Sequence, residues 1–382
     1  MHHSKPASRY FLLAAAFCFS AASMAMAAPE KPGEIRVYIG TYDKPTTHGI
    51  YQMRLDPATG ALSAPELAGE MINPSWVTLS PNHKFLYACS EYGLKSGSAI
   101  AAFAIEKDGK LTALNEQPMA GGPCYASLDS TGKNLFAASY GSGVVEVFQV
   151  GADGKLSPPT CTDQHPGVGT KPGPHAHCID ADPGNHFVLS CDAGIDKVFV
   201  YRFDPAKGLL TANDPPFAAL PPHAAPRHLA FSPDGKFVYT IQEAASTVTA
   251  FTYDAEHGVL HEIQSISTLP AGFLGKDLST AELLMHPSGK FLYGSNRGHD
   301  SIVAYRVEPK TGKLELIGHT PSGGKVPRGM GIDPTGQWLI AGNQNSDSIV
   351  EFHIDQKTGE LKATGTKFAL GSPVCFKFME VK

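Results

Sequence analysis

From about residue 35 to its end the chain consists of short apolar runs, of strand rather than helix length, cut at regular intervals by Gly, Pro, Asp and Asn. One kind of cut places an acidic residue a few positions before a Gly, with an apolar residue soon after. It stands at Asp56-Pro57-Ala58-Thr59-Gly60, Glu106-Lys107-Asp108-Gly109, Gly151-Ala152-Asp153-Gly154 and Asp204-Pro205-Ala206-Lys207-Gly208, and again over 254–258, 308–312 and 355–359. A second kind falls between these, clearest at Ser232-Pro233-Asp234-Gly235-Lys236, His286-Pro287-Ser288-Gly289-Lys290 and Asp333-Pro334-Thr335-Gly336-Gln337. Weaker copies lie at 80–84, 129–133 and 182–185. The apolar runs between them, such as Phe237-Val238-Tyr239-Thr240 and Phe291-Leu292-Tyr293-Gly294, read as strands joined by hairpin turns.

The first turn occurs seven times and the second six, at a period of about fifty residues. Each repeat therefore holds four strands, a to d, with one turn type joining a to b and the other joining c to d. This is the signature of an all-β, seven-bladed β-propeller with four-stranded blades. The missing a–b turn is explained if the chain termini interrupt one blade there. Residues 35–42 would then be its strand b, 49–62 its strands c and d, and 374–381, from the far end of the chain, its strand a. Closing the ring in this way leaves no open sheet edge.

The N-terminus has a different character. Lys5 and Arg9 precede an apolar run from Phe11 to about Ala22, and Ala25-Met26-Ala27 has the small-x-small form of a cleavage site. Residues 1–27 read as a signal peptide and 28–382 as one propeller domain, exported to the periplasm or secreted. The apolar run is too short to span a membrane, so no membrane association is expected once it is removed. Loss of Lys5 and Arg9, with no acid, takes the net charge from −5 to −7. A mildly acidic protein without a basic and aromatic stripe is not expected to bind nucleic acid. Six cysteines remain after Cys18, with no CxxC or zinc spacing. They read mostly as buried free thiols. Cys178 and Cys191, flanking one hairpin, are the best-placed pair in an oxidising compartment.

Strand a lies nearest the axis of a propeller, and the a–b turn sits at one end of that hairpin. The start of strand a and the end of strand b therefore line the opposite mouth of the central channel. Aligned on their turns, the repeats place Ser75, Cys124, His177, Arg227, Ala281, Arg328 and Val374 at the starts of strand a. The ends of strand b carry Glu91, Tyr140, Asp192 or Ala193, Glu243, Arg297, Gln344 and Tyr42. Packing positions repeat from blade to blade because each blade packs alike, whereas these differ, as the lining of a site for one asymmetric ligand would. A His or Glu among several Arg suits a substrate with carboxylate, hydroxyl or ester oxygens. Arg227 and Glu243, on one hairpin, could equally be a structural ion pair. His175 and His177 could share a metal, but no third ligand follows at usable spacing, and neither metal nor cofactor is expected. There is no Walker A, HExxH, GxGxxG or GxSxG motif.

Several segments carry a family resemblance. They are Tyr38-Ile39-Gly40-Thr41-Tyr42 with Gly49-Ile50-Tyr51, the stretch through His177 to Asp180, Pro226-Arg227-His228 with Glu243 sixteen residues on, Ser295-Asn296-Arg297-Gly298 and Pro327-Arg328-Gly329. Together, over nearly all of residues 35–382, they resemble the propeller lactonases, which include bacterial cycloisomerase-type 6-phosphogluconolactonases and are related to fungal carboxy-cis,cis-muconate lactonising enzymes. The resemblance implies metal-free hydrolysis of a small lactone. It places the family's His, two Arg and Glu on His177, Arg227, Glu243 and Arg297. Arg328, Glu91, Tyr140 and Gln344 then stand as substrate-binding candidates. The export signal departs from a cytoplasmic phosphogluconolactonase and points to an unphosphorylated sugar lactone or sugar acid as the partner. A non-enzymatic binding platform and a lactone-forming cycloisomerase are the alternatives. The oligomeric state is not legible.

Overall fold

The computed structural model describes residues 1–2 and 33–381, apart from 46, 92–96, 168 and 170–172. The segment read as a signal peptide lies almost wholly outside the described residues. The rest forms seven four-stranded antiparallel sheets. Blade 1 combines Pro373–Glu380 as strand a with Ile35–Thr41, Ile50–Leu55 and Glu66–Gly69 as b, c and d. Blades 2 to 7 follow in chain order over 74–118, 123–164, 176–219, 226–267, 279–321 and 327–369. The C-terminal strand pairs with the first strand from Ile35↔Glu380 to Thr41↔Pro373, which closes the ring as the turn count predicts.

One expectation within blade 1 is corrected. Its strand d is Glu66–Gly69, not a run ending at Leu62. After the Gly60 turn, Leu62 makes a single bridge to Leu55, and the Ser63 hydroxyl takes the Arg54 N–H in place of a ladder carbonyl. Regular pairing resumes at Glu66.

The burial of each strand follows from its radial position. Strand b is buried throughout in five blades, as in Phe237–Gln242, because a neighbouring blade covers each of its faces. Strand d, at the rim, is half-buried to exposed, as in Val259–Ser267. Prolines stand in these outer edge strands, at Pro158, Pro159, Pro215 and Pro216, where a missing N–H harms no ladder and blunts the edge.

The repeating c–d turn is an inter-blade fastener. Its Gly has positive φ, and in five places it rests on the aromatic that opens strand b of the preceding blade. The pairs are Gly154 on Phe85, Gly258 on Phe187, Gly312 on Phe237, Gly359 on Phe291 and Gly60 on Trp338. A side chain at any of these glycines would collide with the ring. Tyrosines from strand b reinforce the contact: Tyr38, Tyr87, Tyr239 and Tyr293 donate their hydroxyls to the carbonyls of Gly109, Gly154, Gly312 and Gly359 at 2.8–3.1 Å.

Candidate active site

Strand a is not a plain alternating strand. In blades 2 to 7 its register shifts near the start, between Pro226 and His228 in blade 5, for example. Such a bulge leaves one residue unpaired and turns two consecutive side chains toward the same side. Arg227 and His228 both reach the axis for this reason, and the Arg227 Nη1 lies 3.0 Å from the His228 Nε2.

At the mouth, Glu243 is gripped from two blades. Its Oε2 lies 3.1 Å from the Nε of Arg227, and its Oε1 lies 2.9 Å from an Nη of Arg297. Both arginines are anchored from behind by carbonyls of blade 6. Arg227 Nη1 donates to Ala281 at 2.7 Å, and Arg297 Nη2 donates to Thr280 at 2.6 Å. The side chain of Glu243 is 27% exposed and that of Arg227 only 3%, so the carboxylate is the accessible member of the cluster. Across the mouth, the Tyr42 hydroxyl donates to Glu91 Oε2 at 2.5 Å and accepts from Arg328 Nη2 at 2.9 Å. Arg328 also lies 3.9 Å from Glu91. Three guanidinium groups thus face two carboxylates. Among the described residues, all three guanidinium groups are ion-paired, and the hydrogen bonds they make use Arg227 Nη1, Arg297 Nη2 and Arg328 Nη2.

Beneath the mouth the axis is plugged by rings. Tyr140 stacks on His175 and meets His177 edge-on. His228 is edge-on to Trp76, Tyr125 and His177, each at 5.2 Å between centroids. Below the plug the channel opens into a cavity of about 310 Å³, whose lining includes Asp180, Glu282 and Lys377.

These surroundings set the protonation states. Burial alone would raise the Glu243 carboxyl, but Arg227 and Arg297 outweigh it and hold the group below the usual carboxylate range. His177 is pushed well below the ordinary imidazole value by burial and then by Arg227, so it is neutral. Burial, with Arg328 nearby, lowers Arg227 to about 10, which leaves it charged at neutral pH. Burial pushes the Asp180 and Glu282 carboxyls up to about 7.

The structure therefore brings Arg227, Glu243 and Arg297 into direct contact and sets Arg328 and Glu91 opposite them. His177 and Tyr140 complete the wall. His177 is 3% exposed and belongs to the plug more than to the open mouth. Gln344 opens a 3-10 turn, Gln344–Ser346, and its side chain makes no hydrogen bond to the cluster among the described residues. His175 does not share a focus with His177, because its Nδ1 lies 2.7 Å from the Tyr140 carbonyl. Among the described residues no group of three His, Cys, Asp or Glu is arranged to hold a metal ion. Cys178 and Cys191 face each other in the ladder, and both are free thiols. Sequence reasoning placed Tyr42 on the mouth without giving it a role, and it did not single out His228 or Glu282. The bulge hides the last two, because a strict two-residue alternation assigns only one of each neighbouring pair to the axis.

Fold and site together define a seven-bladed propeller with three arginines and two carboxylates gathered at one mouth of its channel. A family model described as lactonase, 7-bladed beta-propeller, matches residues 36–378. The chain belongs to this lactonase family. A 6-phosphogluconolactonase from Bacillus subtilis (strain 168) is 36% identical over 301 residues, covering 78% of this chain and 84% of the relative. A solved periplasmic gluconolactonase from Pseudomonas aeruginosa is 31% identical, with a TM-score of 0.86 over 91% of this chain and 100% of that one.

Proposed function

We propose that this chain hydrolyses an unphosphorylated sugar lactone of the glucono-1,5-lactone type outside the cytoplasm, with no metal. The observation that carries the reading is the grip of Arg227 and Arg297 on the accessible Glu243 carboxylate, with Arg328 facing them across the mouth. Glu243 takes a proton from water, and the water oxygen adds to the ester carbonyl carbon. The carbonyl oxygen becomes an oxyanion, held by Arg227 and Arg297. The ring C–O bond then breaks, the ring oxygen leaves as a hydroxyl with the proton returned by Glu243, and the product is the open sugar acid. Neutral His177, 3% exposed in the plug beneath the mouth, backs the site without adding a charge to it. Arg328, with Tyr42 and Glu91 fixing its direction, holds hydroxyl groups remote from the bond broken.

The extracytoplasmic assignment is supported by the leader-like N-terminus and by the likeness to the periplasmic gluconolactonase of Pseudomonas aeruginosa. The test compares hydrolysis of glucono-1,5-lactone and its 6-phosphate by the chain beginning at residue 28 with the spontaneous rates, with and without a chelator. Chelator-resistant acceleration of the unphosphorylated lactone is expected. Activity on the phosphate alone, loss of activity with chelator, or acceleration of neither overturns the proposal. In the source cell, mass spectrometry of a periplasmic fraction should find the chain beginning at Ala28. A chain that retains residues 1–27 overturns the address.

A further inference from the structure

Arg227 is not held by Glu243 alone. Its Nη1 donates to His228 Nε2 at 3.0 Å, so the imidazole proton must sit on Nδ1, which lies 2.7 Å from Glu282 Oε1. The Glu282 carboxylate is fixed in turn by the backbone N–H of Leu283 at 3.2 Å. The ring cannot turn freely, because Trp76, Tyr125 and His177 meet it edge-on. His228 and Glu282 are 3% and 4% exposed, below the mouth and out of reach of a substrate bound there.

This layer also varies from blade to blade. Just inside the mouth, the residues beside the bulge are Trp76, Tyr125, Cys178, His228, Glu282, Gly329 and Cys375. Residues that merely pack would repeat. Instead a His from blade 5 meets a Glu from blade 6 directly behind the arginine that contacts Glu243.

We propose that His228 and Glu282 form a positioning pair for Arg227: Glu282 fixes the tautomer of His228, and His228 Nε2 fixes the direction of the guanidinium. The guanidinium edge that faces the mouth is thereby aimed at the position of the substrate oxygen. The pair rests on the reading of Arg227 as a donor to that oxygen. Burial, with Arg227 beside it, holds the His228 imidazole well below its usual value, and the neutral ring is the form whose Nε2 can accept.

A double-mutant cycle on lactone hydrolysis tests this, with kcat and KM measured separately. His228→Leu should lower kcat about ten- to a hundredfold, the cost of freeing a buried charged donor, with a smaller effect on KM. His228→Gln places an amide oxygen where Nε2 was and should restore kcat to within about threefold. Glu282→Gln still accepts from Nδ1–H and should also be near wild type, whereas Glu282→Leu should resemble His228→Leu. In an Arg227→Ala background His228→Leu should cost nothing further. A loss that multiplies in that background, or His228→Gln as impaired as His228→Leu, overturns the proposal. A wild-type chain that accelerates no lactone defeats the functional reading instead. The pair then stands or falls on histidine ¹⁵N NMR, assigned with His228→Gln. A proton on Nδ1 in the wild type that is lost or shared in Glu282→Leu supports it, and a proton on Nε2 or an imidazolium overturns it.

Discussion

Glu243 shows how two opposed effects are decided by geometry. Desolvation disfavours its charge, and two guanidinium groups at 3.1 and 2.9 Å more than restore it. The carboxylate is therefore ionised at neutral pH, weakly basic for its type, and compensated by the arginines proposed to receive the oxyanion. Glu243→Gln should lower kcat by roughly 10²–10⁴-fold, and Arg297→Ala by about 10²–10³-fold, with melting temperature and circular dichroism close to wild type. Near-normal rates in both would remove Glu243 and Arg297 from the mechanism. Because the Glu243 carboxyl is held low, activity should persist as pH falls and decline only below the ordinary Glu value of about 4.3. An acid limb near 6 would instead point to a titrating histidine. Asp180 behaves in the opposite sense. Folding raises its carboxyl to about 7, so its contribution to stability is full at low pH and drains away as pH rises from the ordinary Asp value toward about 7. Relative to wild type, Asp180→Asn should therefore melt at a higher temperature at pH 8 than at pH 5. A pH-independent difference would show that this carboxyl titrates normally.

At the level of elements, the c–d turn is more than a reversal of the chain. Its Gly lets the backbone sit flush on an aromatic of the neighbouring blade, and its carbonyl accepts a tyrosine hydroxyl in four of the seven cases. This is why the turn reads as a repeat: the docking is the same around the ring. Where the aromatic is absent, the fastener is polar. Arg36 and Gln52 bond to the carbonyls of Lys107 and Asp108, and Asn134 and Thr160 bond to those of Pro205 and Gly208. Trp338 fastens the last blade to the first, with its ring against Gly60 and its Nε1 donating to the Pro57 carbonyl at 2.9 Å. Trp338→Ala should cost about 3–5 kcal/mol in urea unfolding, since it empties a packed site and orphans a carbonyl. A loss below about 1 kcal/mol would show that the turn does not fasten the blades.

The whole molecule is needed to make one mouth. Tyr42, Glu91, Tyr140, His177, Glu243, Arg297 and Arg328 come one from each of the seven blades, so the site exists only when the ring is closed. Closure depends on the pairing of Pro373–Glu380 with Ile35–Thr41. A chain ending at residue 372 would leave Ile35–Thr41 as an open edge of entirely buried-type residues and remove Cys375 and Lys377 from the axis. It should lose activity and associate or aggregate in size-exclusion chromatography. A monomeric, active truncation would show that ring closure is dispensable.

The number of blades, the four strands in each and the closing strand were legible in the sequence. They depend on local turn chemistry and on a period repeated seven times, and averaging over copies makes each weak signal firm. The exceptions were equally local in origin. The fourth strand of blade 1 was misplaced because Ser63 substitutes a hydroxyl for a ladder bond, which no repeat average reveals. Which mouth residues touch, and how, was decided by the tertiary structure. Sequence alignment could place Arg227, Glu243 and Arg297 on one rim. It could not say that the two arginines share one carboxylate, nor that Tyr42 links Arg328 to Glu91. The contact of Arg227 with His228 and Glu282 was further still from view. It depends on a bulge that breaks the two-residue alternation and on the spacing of two adjacent blades, neither of which any single repeat encodes.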